Sequence, residues 1–128
     1  MAEEDRLETY RRTMGTVPPA IAALHSAGPQ ALEGYLTFRE FIMREPPEGA
    51  LPLKIKELIF VLLDVLVHNT DGARLHLTAA MRDGLRPEEL AEALLQLMLV
   101  NGVWTWGLSY RLLEYARECA ADPSKLGS

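Results

Sequence analysis

The stretch LKIKELIFVLLDVLVH, residues 53–68, decides how this chain is read. Its apolar residues, from Leu53 and Ile55 through the run Leu58–Leu63 to Val65, Leu66 and Val67, leave almost no direction around a helix axis uncovered. A helix that is apolar nearly all round is buried on all sides. At about 100° per residue, the polar Lys54, Glu57, Asp64 and His68, though not Lys56, fall on one line with Val61. Two carboxylates and an imidazole therefore share one stripe. Periodicity favours the simple reading, in which this stripe is the solvent face. The alternative is a partly desolvated acid–base site.

Working outward, prolines and glycines divide the chain into segments of helical length: Pro18–Pro19, Gly28–Pro29, Pro46–Pro47, Gly84 with Pro87, and Asp122–Pro123. No segment sustains the period-two alternation of a strand. The pattern predicts an all-α fold with helices over 3–14, 18–27, 30–45, 53–68, 71–83, 87–101 and 103–121. Pro29 and Pro87 suit first helical turns, Glu88 and Glu89 complement the positive end of the helix dipole, and Gly84 reads as a left-handed cap. Helices 87–101 and 103–121 are also rich in apolar residues. A 128-residue helical monomer has little room to bury all of this, so a homo-oligomer is expected. A monomer with exposed apolar faces is the alternative.

Composition narrows the function. With 13 Lys+Arg against 18 Asp+Glu the net charge is −5, and no basic face of the kind that duplex nucleic acid requires is visible. The single cysteine, Cys119, excludes an intramolecular disulfide, a structural thiolate zinc site and a two-cysteine redox centre. The acidic start, Met1–Asp5, is unlike a signal or transit peptide. The longest apolar stretch, 58–67, contains Asp64 and is too short to span a bilayer. These features point to one domain over residues 1–128, soluble and cytoplasmic.

The next helix adds His76. Its neighbours one turn away, Ala73, Leu77, Ala79 and Ala80, are small or apolar, so it faces inward. A lone inward histidine is usually a hydrogen-bonded core residue. In a simple antiparallel hairpin, Glu57 and His76 would be well apart within one subunit, and joining them would take a sharp crossing or a second copy. A nitrogen/oxygen metal site from His68 and His76 with Asp64 or Asp71 has little support, since no two histidines stand four apart on a helix.

Lys56-Glu57-Leu58-Ile59, then an apolar helix, then His76 with Ala79–Ala80, then Gly84-Leu85-Arg86-Pro87-Glu88-Glu89-Leu90 and a second apolar helix, together resemble the carboxymuconolactone decarboxylase family. That family includes the alkyl hydroperoxidase D-like proteins. The resemblance covers roughly residues 50–115 and implies an all-helical, alkyl hydroperoxidase D-like domain of six to seven helices, often a hexamer built as a trimer of dimers. Family members of the peroxidase type resemble a pattern of Glu, eleven residues, Cys, two residues, Cys, three residues, His. Glu57 and His76 fit its outer positions, but Asn69 and Gly72 stand where the cysteines would be. Thiol peroxidase chemistry needs a thiolate and a resolving thiol, so it is rejected. Cys119 matches no motif position.

The cysteine-less decarboxylase branch is similar, and it implies a cofactor-free, metal-free lyase acting on a small unsaturated lactone acid in aromatic-compound breakdown. On that resemblance His76 is the general acid or oxyanion stabiliser and Glu57 orients it, with His68 and Asp64 of second rank. A substrate carboxylate calls for a cation: Arg74, nearest His76 in sequence, leads Arg82 and Arg111, although each also reads as a solvated surface charge. Trp104 or Trp106, but not both, would wall an apolar pocket, with core packing the default for either. The acidic stretch His68–Gly72 sits awkwardly with a dianionic substrate, and isomerisation by the same Glu/His chemistry stays open. So does a non-catalytic small-molecule-binding or scaffold oligomer, in which Glu57 and His76 would be stability residues.

Overall fold

The computed structural model describes residues 3–127. Seven helices follow one another: α1 (Glu3–Met14), α2 (Pro19–Ala27), α3 (Pro29–Ile42), α4 (Leu53–Leu66), α5 (Thr70–Arg82), α6 (Pro87–Asn101) and α7 (Trp104–Ala121). A short 3₁₀ turn, Pro123–Lys125, closes the chain, and there is no strand among the described residues. The all-α expectation stands. No helix of the described residues is long and apolar enough to cross a membrane.

The chain divides into two compact units, Met1–Leu53 and Lys54–Ser128. In the first, α1 buries Leu7, Tyr10 and Met14, while α3 buries Leu32, Leu36 and Arg39. The Arg39 guanidinium lies over the Tyr10 ring at 4.2 Å, and the Tyr10 hydroxyl bonds that of Tyr35 at 3.1 Å. The helix expected over 30–45 stops at Ile42. Glu45 precedes Pro46, and the residue before a proline is pushed out of the helical region.

The second unit is built round Val61 and Val65 of α4, Leu77 and Ala80 of α5, Leu90 and Leu94 of α6, and Leu112, Leu113 and Ala116 of α7. Pro87 opens α6, and the Glu89 carboxylate accepts from the Arg86 backbone N–H at 2.9 Å. That backbone bond, with the Lys54 ammonium 3.2 Å away, holds the Glu89 carboxyl below its ordinary range. Gly84 takes φ 99°, as a left-handed cap requires.

Helix α4 ends at Leu66 instead of His68. The His68 N–H donates to the Val65 carbonyl at 3.1 Å and the Asn69 N–H to the Asp64 carbonyl at 2.8 Å. This pair of bonds is the Schellman closure, which needs a left-handed residue in between. His68 supplies it at φ 59°.

Candidate functional site

Helix α4 carries its polar stripe inward, the reverse of the solvent-face expectation. Glu57 is 1% exposed, Val61 is fully buried, and Ile59, Leu63 and Leu66 on the other side are open to solvent. The stripe is the face that meets α5. Asp64 lies against Gly72, and the Phe60 ring lies 4.6 Å from that of His76. Four residues back along α4 thus correspond to four residues forward along α5, the register of an antiparallel hairpin.

This register brings Glu57 and His76 together within one chain, without a second copy. The short turn sets His76 opposite Phe60. Glu57 is one helical turn further back, about 4.5 Å along the axis, within reach of two long side chains. Its Oε2 is 2.7 Å from Nδ1 of His76, within one chain. A carboxylate oxygen only accepts, so against ionised Glu57 the Nδ1 atom carries the proton and Nε2 takes no part in that bond. Asp64 stands on that side, with Oδ2 3.9 Å from Nε2. Burial pushes the Asp64 carboxyl up from its ordinary value, against the opposing pull of His76 and of a hydrogen bond from Asn69. The ring of His76 is therefore held between two carboxylates, and its side chain is 21% exposed.

The other expected residues lie elsewhere. His68 is outside the His76 cluster, its ring 5.5 Å from the ring of half-exposed Trp104. Trp106 packs against the core, while Trp104 departs from the core packing expected of it. Arg74 does not join His76, because residues two apart on a helix project to nearly opposite sides. Its guanidinium lies over the Tyr115 ring at 4.4 Å. There it lines an open groove of about 850 Å³ between α5 and α7, with Asp71, Arg111 and Glu118. Cys119 is a free, buried thiol of α7. Among the described residues no three His, Cys, Asp or Glu side chains are grouped to hold a metal ion.

Phe60, Asn69 and Gly72 were not singled out as site residues from the sequence. Asn69 was open to detection, since an Asn before a helical segment is an N-cap signal. Its Oδ1 accepts from the Gly72 N–H at 3.1 Å.

The sequence profile of the carboxymuconolactone decarboxylase family matches residues 29–114. The chain belongs to that family. A crystal structure of a provisionally named carboxymuconolactone decarboxylase from Burkholderia xenovorans LB400 is similar at 31% identity and TM-score 0.85, over 94% of this chain and 92% of that one. No curated protein matches. Membership of the carboxymuconolactone decarboxylase family agrees with the all-helical fold.

Proposed function

We propose that this chain is a cofactor-free decarboxylase acting on a small unsaturated lactone acid of the carboxymuconolactone kind, in the cytoplasmic breakdown of aromatic compounds. The observation that carries this reading is the Glu57–His76 pair: a buried carboxylate bonded at 2.7 Å to Nδ1 of a histidine whose side chain is part-exposed and whose Nε2 lies 3.9 Å from Asp64. Family membership and the similar structure support the choice of substrate class.

In the reaction, the bond from the ring carbon to the departing carboxylate breaks and carbon dioxide leaves. The electron pair moves into the conjugated lactone carbonyl, giving a dienolate. Nε2 of His76, protonated beforehand, gives its proton to carbon, and solvent restores it. Glu57 holds the ring in place and stabilises the charged imidazolium, which is what general-acid catalysis asks of its partner. No cofactor is required, since the substrate is its own electron sink.

Asp64 favours one variation. A carboxylate 3.9 Å from Nε2 repels a second anion there, which suits a substrate presenting a neutral or hydroxyl group at that point. Proton transfer within such a lactone, an isomerisation, is the second reading. We also propose that the chain works as a homo-oligomer, a trimer or hexamer, because α4 leaves Ile59, Leu63 and Leu66 exposed.

The test mixes the purified protein with carboxymuconolactone and with related lactone acids, following carbon dioxide release and, separately, solvent deuterium uptake. Carbon dioxide release supports the decarboxylase. Deuterium uptake without release supports isomerisation. Neither, with folded protein, overturns both and leaves the non-catalytic binding oligomer.

A further inference from the structure

The turn that joins α4 to α5 arranges side chains as well as backbone. The Schellman closure brings Asn69 back over the last turn of α4, with its N–H on the Asp64 carbonyl. From there its side chain makes two bonds. Oδ1 accepts from the Gly72 N–H, which caps α5, and Nδ2 donates to Oδ1 of Asp64 at 3.4 Å. Capping needs only the first of these, and Ser or Thr would supply it. The donor to Asp64 is additional.

Gly72 leaves the space for it. A Cβ at that position would lie 2.4 Å from Asn69 Nδ2 and 2.8 Å from Asp64 Oδ2, contacts that real side chains do not make. The bare backbone at 72 is thus part of the same arrangement. Asp64 has one oxygen engaged by Asn69 and the other 3.9 Å from Nε2 of His76.

We propose that Asn69 is a positioning residue of the His76 site, its amide turning the Asp64 carboxylate toward Nε2 in the space that Gly72 leaves open. This rests on the reading of His76 as the proton-handling group. Glu57 fixes Nδ1, while Asp64, so held, faces the nitrogen that does the work. It steadies the imidazolium before the proton is given up and accepts a hydrogen bond from a substrate donor that approaches Nε2.

The substitution Asn69→Ser separates the two bonds, since serine keeps the cap and lacks the amide. The Asp64 carboxyl is followed by ¹³C NMR titration of the intact protein, alongside thermal unfolding and lactone turnover. The variant is expected to unfold near the wild-type temperature, with Asp64 titrating at higher pH because a donor to its ionised form is gone. Its kcat falls about tenfold or more with little change in KM, as small misplacements at a reacting centre do. An unmoved Asp64 titration in the folded variant overturns the proposal, as does a wild-type kcat.

A second measurement needs no variant: the Asn69 side-chain amide, read by ¹⁵N NMR in the wild type, is expected to shift through the Asp64 titration. An amide that ignores that titration also overturns the proposal. If the two titrate together but no lactone acid is turned over, the placement of Asp64 is upheld and the decarboxylase reading is what fails.

Discussion

Three side chains on two helices define the site, and their roles differ because their surroundings differ. Glu57 is buried and hydrogen-bonded, His76 is part-exposed with Nδ1 on Glu57, and Asp64 is half-buried opposite its other nitrogen. Asp64 carries a stability signature. Burial raises its carboxyl above the ordinary value of 3.8, so the folded chain holds a proton that the unfolded chain has already released. Its contribution to stability is complete below the unfolded value and is lost as pH rises through the raised folded one. Thermal unfolding of wild type and Asp64→Asn across that range is expected to show the wild type losing ground to the variant as pH increases. Parallel curves would mean that Asp64 is no more buried than an ordinary surface acid.

At the scale of elements, the helix plan was legible because its punctuation is chemical. Pro87 and Gly84 start and stop helices for reasons internal to the backbone, and they act here as expected. The direction of the polar stripe was not legible. Periodicity shows that Glu57 and Asp64 share a face, but when the remaining faces are apolar it cannot say which one meets the core. The partnership of Glu57 with His76 depended on hairpin register, which a three-residue turn fixes and spacing alone leaves undetermined. Proximity in sequence did not bring Arg74 to His76, because positions two apart on a helix diverge, and its guanidinium lies over Tyr115 instead. The turn also yields a prediction. A non-glycine residue in the left-handed region costs about 1 kcal/mol, and His68 sits there at φ 59°. His68→Gly is expected to stabilise the chain by about 0.5–1 kcal/mol in urea unfolding. A loss of stability would show that the contact with Trp104 outweighs the backbone strain.

For the whole molecule, the notable feature is apolar surface left uncovered. Val67, Leu99, Val100 and Val103 are each more than 70% exposed. Single exposed apolar residues are ordinary, but contiguous patches mark interaction surfaces. Helix α4, apolar on nearly every side, shows Ile59, Leu63 and Leu66 to solvent, which is why a homo-oligomer is proposed. Sedimentation is expected to give a trimer or hexamer, and the double variant Leu99→Glu, Val100→Glu is expected to reduce it to smaller species. A monomer in the wild type would contradict this and return the exposed faces to another role.

In the proposed decarboxylation, Nε2 of His76 moves the proton. The most direct test is chemical rescue: carbon dioxide release from carboxymuconolactone by wild type and by a folded His76→Ala variant, each with and without added imidazole. Loss of about a hundredfold or more in the variant, with partial recovery on adding imidazole and no effect of imidazole on the wild type, is the predicted result. Turnover that survives the loss of His76 in a folded variant would contradict the account.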